Sequence, residues 1–134
     1  MRDVSIIGVG MTPVGEHWDK GLRELGAEAI QLALADAGQP QIDALYVGNA
    51  FSGVFSSQSH LGVLIADHAR LGGVEAFTVN AADASGGAAL RTAYMAVASG
   101  LVETALVLGV EKASDAVAGH RVEARNEERS LIVP

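Results

Sequence analysis

Four short apolar runs, separated by stretches of helical character, are the feature that most limits the folds open to this chain. The runs lie at residues 4–9, 42–49, 76–80 and 104–110. They lack the regular polar alternation of a strand with one wet face, so both faces of each strand are predicted to be buried. Strands of this kind predict an α/β fold, a parallel sheet with helices on both faces and the element order β-α-β-α-β-α-β.

Helices are predicted at residues 22–37, 60–71 and 85–99. In the first of these, leucine and alanine recur at three- and four-residue spacing, as on one face of a helix. Gly38 and Pro40 then end that helix, and Gly100 ends the alanine-rich third one. Residues 10–21 and 50–59, which contain several glycines and serines, are predicted to be loops.

Composition and charge exclude several classes of protein. The net charge is −7 and no cluster of lysine and arginine is present, which argues against nucleic acid and anionic membrane surfaces as partners. No apolar stretch approaches the roughly 18 residues of a membrane span, and no leader-like segment opens the chain. We therefore expect a cytoplasmic protein. The cysteine count is zero, which excludes disulfides, thiolate–metal sites and a cysteine nucleophile within this chain.

The character of the sequence changes beyond Glu111, where charges of both signs accumulate and the apolar periodicity fades. A chain of 134 residues has the size of one ordinary domain. We predict a single α/β domain at residues 1–112, followed at 113–134 by a charged tail or the start of a missing insertion.

Two weaker signals have ordinary structural interpretations. Gly8 and Gly10 follow the first apolar run, but Pro13 stands where a dinucleotide-binding fingerprint needs its third glycine, so a tight turn is favoured. A nucleotide-binding domain stays open as an alternative. His60 and His68 share a predicted helix but are separated by about two turns, so one metal ion cannot bridge them. No metal site is predicted.

The most informative stretch is VNAADASGGAALR, residues 79–91. It leaves a buried strand and turns on small residues into the start of a helix, where free amide groups and the helix dipole favour negative charge. Such a turn suits an anion, a developing oxyanion or an activated nucleophile. Asp83 lies in this turn. An equally good interpretation makes Asp83 the N-cap of the helix, worth about 0.5–2 kcal/mol over alanine, with Ser85 as an alternative cap.

Several segments together resemble the thiolases, especially their sterol-carrier-protein-like and archaeal acetyl-CoA acetyltransferase branch. They are VSIIGVGMTPVGEH at 4–17, LGAEAIQLALADAG at 25–38, IDALYVGNAFSG at 42–53 and the whole of residues 59–115. The resemblance implies the N-terminal half of a thiolase fold. It also implies Claisen condensation or thiolytic cleavage of a 3-oxoacyl-CoA, with a coenzyme A thioester as substrate and no covalently bound cofactor.

The chain departs from the thiolase pattern at one decisive position. Aligned on ASGGAALR, the catalytic cysteine of the family falls on Asp83. A carboxylate is a poor nucleophile toward a thioester, so the resemblance implies an impaired catalytic residue. The histidine and second cysteine that move protons in the family belong to later segments.

A half-fold leaves an apolar face and an unpaired sheet edge. We therefore expect a homo-oligomer or a complementary thiolase-half chain as partner, besides acyl-CoA. The alternative is a non-catalytic acyl-CoA-binding or scaffold subunit that completes a partner chain.

Overall fold

Three parallel strands form the centre of the protein. The computed structural model describes residues 1–113, so residues 114–134, which hold nearly all of the predicted charged tail, lie outside the described part. The sheet has the order β2-β1-β3, with β1 at Ala44–Gly48, β2 at Glu75–Val79 and β3 at Ala105–Gly109. Ala44 pairs with Glu75 on one side and with Ala105 on the other. The predicted parallel α/β class is confirmed.

Four helices within residues 1–113 connect and cover these strands. The second is a single turn within the predicted 50–59 loop, and the other three lie where the apolar periodicity predicts helices. Their bounds are Leu22–Asp36 for α1, Ser52–Phe55 for α2, Leu61–His68 for α3 and Ser85–Ser99 for α4.

The helices lie on both faces of the sheet, as predicted. The prediction that both faces of each strand are buried is wrong for β2, whose residues are exposed or half-buried. Successive residues of a strand point to opposite faces. Leu45 and Val47 of β1 therefore pack with Leu106 and Leu108 of β3 against α1 and α3. Tyr46, the residue between the first two, packs on the opposite face against the alanines of α4. The largest fully buried side chains lie on the α1/α3 face.

Glycine allows α3 to begin directly against the sheet. A β-carbon at Gly62 would lie 2.6 Å from the carbonyl carbon of Phe77 in β2, so a larger residue has no room there. The amide of Gly62 donates a hydrogen bond of 2.8 Å to Oγ1 of Thr78. The first turn of α3 is thereby tied to β2.

The predicted first strand at residues 4–9 does not form among the described residues, which corrects the predicted element order. β1 already has β2 and β3 as its two neighbours, so any further strand has to join an outer edge. Residues 4–9 pair with neither edge. The segment packs instead on α1, where a β-carbon at Gly8 would lie 2.7 Å from the carbonyl oxygen of Ala33.

No helix within residues 1–113 is both long enough and apolar enough to cross a lipid bilayer.

Candidate active site

Polar residues follow each of the three strands at the same edge of the sheet. Asn49 comes directly after β1, Asn80 directly after β2, and Glu111 two residues after β3. The carboxyl ends of parallel strands meet at one edge, which is where α/β proteins place ligands. This edge is the candidate site.

Glu111 ties the end of β3 to the chain that leaves β1. One carboxylate oxygen accepts hydrogen bonds from the amides of Ala50, at 2.8 Å, and Phe51, at 3.2 Å. The other accepts from Nδ2 of Asn49 at 3.0 Å. Hydrogen bonds to an ionised acceptor are stronger than neutral ones, so Glu111 holds this loop in one conformation.

The two asparagines complete the connection between the strand ends. Asn49 is buried, and its Nδ2 also donates to the carbonyl of Val110 at 2.7 Å while its Oδ1 accepts from the amide of Ser52. Asn80 donates from Nδ2 to the carbonyl of Ala50 at 3.0 Å. All three strand ends are therefore joined through the loop after β1.

The turn between β2 and α4 contains a strained residue. Ala82 has φ of +49°, a left-handed conformation that costs a non-glycine residue about 1–2 kcal/mol. Oδ1 of Asn80 accepts from the amide of Ala82 at 3.1 Å. The hydroxyl of Ser85 accepts from the amide of Ala81 at 2.9 Å and donates to the carbonyl of Ala82 at 2.6 Å. These bonds hold the strained turn in place.

Asp83 lies in this turn, exposed, two residues before α4 begins. It lines a cavity of about 400 Å³ together with Glu111, Gly86 and the loop after β1. Its carboxylate has no hydrogen-bond partner within residues 1–113. Asp83 therefore lies in a strand–helix turn, as the sequence predicted, and the structure adds that this turn borders a cavity.

The prediction that Asp83 or Ser85 caps α4 is wrong. The N-cap residue is Ala84, which has no side-chain capping bond. The helix begins one residue later than an N-cap at Asp83 requires, and within residues 1–113 no bond joins the Asp83 carboxylate to a helix amide. Ser85 is the first residue of α4, and its hydroxyl bonds backward to the turn.

The start of α4 presents unused amides beside the cavity. The amides of Gly86 and Gly87 have no acceptor within residues 1–113. A β-carbon at either glycine would meet no atom within 4 Å, so the space above this turn is open. Free amides at a helix N-terminus can stabilise negative charge that develops on a bound carbonyl oxygen.

Close packing fixes the position of that first turn. A β-carbon at Gly48, the last residue of β1, would lie 2.6 Å from the carbonyl oxygen of Ser85 and 2.8 Å from Cα of Gly86. The backbone of α4 thus lies directly on the end of the central strand. Gly48 permits this close approach, and Gly48, Ser85 and Gly86 together line one side of the cavity.

Other candidate positions have structural roles. The backbones of Gly8 and Gly10 lie against α1, where no space is left for a β-carbon, so these glycines serve close packing of two backbones. His60 is the N-cap residue of α3 and His68 its last residue. Residues 1–113 contain no group of three or more potential metal ligands placed around a common point.

Sequence reasoning missed Asn49, Asn80 and Glu111. The available signal was position, because each comes at or just beyond the end of a strand and parallel strand ends converge. The sequence analysis interpreted the apolar runs as strands and assigned no role to the polar residues at their ends.

Comparisons with known proteins agree with this architecture. The structure resembles the crystal structure of the priming β-ketosynthase of the R1128 polyketide biosynthetic pathway, with a TM-score of 0.56 and 30% sequence identity over 63% of this chain and 25% of that one. The fold and the strand–turn–helix site therefore define an α/β domain of the thiolase-like class. The family model described as "Thiolase, N-terminal domain" matches residues 4–131. The chain belongs to this family, as its sequence segments suggested.

Curated relatives are similar over most of this chain. An acetyl-CoA acetyltransferase of Methanothermobacter thermautotrophicus is 49% identical over 119 residues, which is 87% of this chain and 31% of the relative. That of Methanocaldococcus jannaschii is 48% identical, over 87% of this chain and 30% of the relative. The benzoylsuccinyl-CoA thiolase subunit BbsB of Thauera aromatica is 31% identical, over 82% of this chain and 28% of the relative. The chain thus spans about a third of the length of these relatives.

Proposed function

We propose that this chain is the nucleophile-bearing half of a thiolase-type acyl-CoA C-acyltransferase, impaired because Asp83 stands at the position of the nucleophilic cysteine. The observation that carries the proposal is the location of Asp83. It occupies the turn before α4, beside a cavity, in a chain 49% identical to an archaeal acetyl-CoA acetyltransferase. The substrate class is an acyl-CoA thioester, and the cellular location is the cytoplasm.

The described residues account for part of the chemistry. The amides of Gly86 and Gly87 are available to stabilise the thioester oxygen as charge develops on it. Attack by the Asp83 carboxylate would expel the coenzyme A thiolate and leave a mixed anhydride. Water cleaves such an anhydride back to the carboxylate and a free acid, so no stable acyl-enzyme accumulates. Without a cysteine thiolate at position 83, acyl transfer therefore stops at its first step, the formation of a stable acyl-enzyme.

The proposed domain at residues 1–112 supplies one wall of the active site. Because the chain spans 31% of the Methanothermobacter relative, the residues that move protons are assigned to a further segment or to a complementary chain. Residues 113–134 are, in this proposal, a charged tail or the start of a missing insertion. Either a homo-oligomer or a complementary thiolase-half chain completes the catalytic unit.

The test is a chimera in which residues 1–112 of this chain continue into the remainder of the Methanothermobacter enzyme. With Asp83, incubation with acetyl-CoA is expected to give no stable acetylation by intact-protein mass spectrometry. With Asp83→Cys, acetylation at residue 83 and thiolase turnover are expected, with turnover raised on the order of 10³-fold or more.

Asp83→Asn is the matched control, because it removes the charge without supplying a thiol. The Asp83→Asn chimera is expected to be as inactive in acyl transfer as the chimera that carries Asp83. Stable acetylation of Asp83 itself would contradict impairment. A folded Asp83→Cys chimera that is never acetylated would contradict the placement of residue 83 at the nucleophile position.

The second candidate function is a non-catalytic acyl-CoA-binding or scaffold subunit. It is favoured by the Asp83 carboxylate, which has no hydrogen-bond partner in the described part of the chain, together with the Thauera relative, which is itself named as a subunit of a thiolase. Light scattering and titration with acetyl-CoA separate the two candidates. A scaffold binds the ligand or a partner chain, and the Asp83→Cys chimera then gains no turnover.

A further inference from the structure

Two carboxyl groups line the candidate active-site cavity, and they differ in whether their lone pairs are already in use. Glu111 accepts from two amides of the loop after β1 with one oxygen and from Nδ2 of Asn49 with the other. The carboxylate of Asp83 accepts no hydrogen bond from any residue within 1–113. Asp83 can therefore take up a proton without the loss of a hydrogen bond in the described part of the chain.

The carboxylate of Asp83 is accessible to water. Asp83 is exposed, and so are Gly86 and Gly87 at the start of α4. The cavity beside them has a volume of about 400 Å³. One water molecule takes up about 30 Å³ of the liquid, so the cavity has room for a thioester group and for water at the same time.

The same cavity contains a group that can activate a thioester. The amide of Gly86, a cavity-lining residue, has no acceptor within residues 1–113. An amide at the start of a helix stabilises negative charge as it develops on a carbonyl oxygen. A thioester held there would be open to attack, with Asp83 lining the same space. The site thus combines a free base, water and a donor for the oxyanion.

We infer that Asp83 gives this site a second activity, the hydrolysis of acyl-CoA, in which its carboxylate acts as general base toward water. A carboxylate is a poor nucleophile toward a thioester, but a general base has only to accept a proton from the water that attacks. Aspartate at position 83 therefore replaces acyl transfer to carbon by acyl transfer to water. The inference rests on the proposed function for its substrate class, an acyl-CoA thioester.

The reaction balances without any further reactant. Asp83 removes a proton from water while the water oxygen forms a bond to the thioester carbon, and the amide of Gly86 donates to the oxyanion. The tetrahedral intermediate then collapses and the carbon–sulfur bond breaks, with its electron pair on sulfur. The proton on Asp83 passes to that sulfur. Acetyl-CoA and water thus give acetic acid and the coenzyme A thiol, and Asp83 is again a carboxylate.

Release of the coenzyme A thiol measures this activity. Acetyl-CoA is incubated with the 134-residue chain and, separately, with the chimera that carries the Methanothermobacter remainder. Thiol and acetate are expected in equal amounts from at least one of the two proteins. In that protein, Asp83→Asn is expected to slow the release on the order of 100-fold, because it removes the base. The inference is overturned if neither protein hydrolyses acetyl-CoA faster than its Asp83→Asn variant.

Two further variants separate the role of Asp83 from effects of charge and folding. Asp67→Asn removes an exposed carboxylate of α3 that does not line the cavity, and it is expected to leave hydrolysis unchanged. Asp83→Glu keeps a carboxylate at the site and is expected to retain more activity than Asp83→Asn. Both substitutions at residue 83 are expected to preserve the thermal unfolding midpoint, because no hydrogen bond within residues 1–113 is lost. Equal losses in Asp67→Asn and Asp83→Asn would contradict the inference.

Isotopes distinguish a general base from a nucleophile. Hydrolysis in water enriched in oxygen-18 is expected to label the acetate and not the side chain of residue 83, as determined by peptide mass spectrometry. Thiol release is also expected to slow in deuterium oxide, because the base moves a proton of water as the new bond forms. Oxygen-18 in Asp83 would show an anhydride at that residue and would overturn the assignment of a general base.

The acylation test fails or succeeds independently of this one. Acetylation of the Asp83→Cys chimera, without hydrolysis by either protein that carries Asp83, rejects only the hydrolase activity. Hydrolysis that depends on Asp83, without acetylation of the Asp83→Cys chimera, rejects only the thiolase-type chemistry.

Discussion

Two carboxylates line the same cavity but differ in what they contact. Glu111 accepts three hydrogen bonds from the loop after β1, whereas Asp83 accepts none within residues 1–113. Glu111 therefore maintains the shape of the site. Asp83 presents to the same cavity a carboxyl group that no residue within 1–113 contacts by a hydrogen bond.

The strain at Ala82 gives a prediction at this scale. Ala82→Gly relieves a left-handed conformation worth about 1–2 kcal/mol and adds about 0.5–1 kcal/mol of backbone entropy cost. The free energy of unfolding is therefore expected to stay level or rise by up to about 1.5 kcal/mol in urea titration. Ala35→Gly, at an exposed position inside α1, is the control and is expected to lose about 1 kcal/mol. Equal losses in both variants would show that residue 82 is unstrained.

The sequence predicted the location of Asp83 but not the local geometry around it. Small residues between a buried strand and an alanine-rich helix predict the turn. Its hydrogen bonds depend on Asn80 and Ser85 reaching particular backbone groups. That outcome follows from the three-dimensional path of the chain, so propensities alone led to the wrong helix cap.

At the scale of elements, apolar periodicity located six of the seven predicted strands and helices. The predicted range of α4, residues 85–99, coincides with the observed helix. The single-turn α2 was missed because its four residues carry no periodic pattern. Its start depends on distant side chains, because Asn49 accepts from the amide of Ser52 and Glu111 accepts from the amide of Phe51, the N-cap residue. Residues 4–9 have a strand-like composition but lack a neighbouring strand within residues 1–113.

The contact between β1 and α4 gives a prediction at this scale. Gly48→Ala places a β-carbon against the backbone of Ser85 and Gly86, so the first turn of α4 has to move. Overpacking of this kind costs about 1–3 kcal/mol. Gly87→Ala is the matched control, because its β-carbon enters open space, and it is expected to stabilise α4 by about 0.5–1 kcal/mol. Thermal unfolding of both variants checks the pair, and a harmless Gly48→Ala would contradict the close contact.

At the scale of the whole molecule, the sequence predicted the class of fold but not the order of its strands. All four runs have a similarly apolar composition, so nothing in their sequence pattern shows which strand is central. The structure makes β1 the central strand, with β2 and β3 on either side. The connections between strands and the packing of α1, α3 and α4 decide that order, and these are non-local.

Stability at high pH depends on a tyrosine of the central strand. Burial, together with the negative charge of Glu75, raises the pKa of the Tyr46 phenol above 10.0. The unfolded chain releases this proton more readily, so stability is fully present below pH 10 and falls as the pH rises beyond it. In Tyr46→Phe this decline is expected to be shallower, measured by urea unfolding from pH 8 to 11. Tyr94→Phe, on the exposed side of α4, is the control, and identical slopes for both variants would contradict the assignment.

The hydrogen bonds among Asn49, Asn80 and Glu111 have a consequence for how such a gene can be divided. These three residues and their partners all lie before residue 113, so the wall that they build is complete without any later sequence. A gene divided shortly after this point would therefore keep all of these hydrogen bonds within one polypeptide.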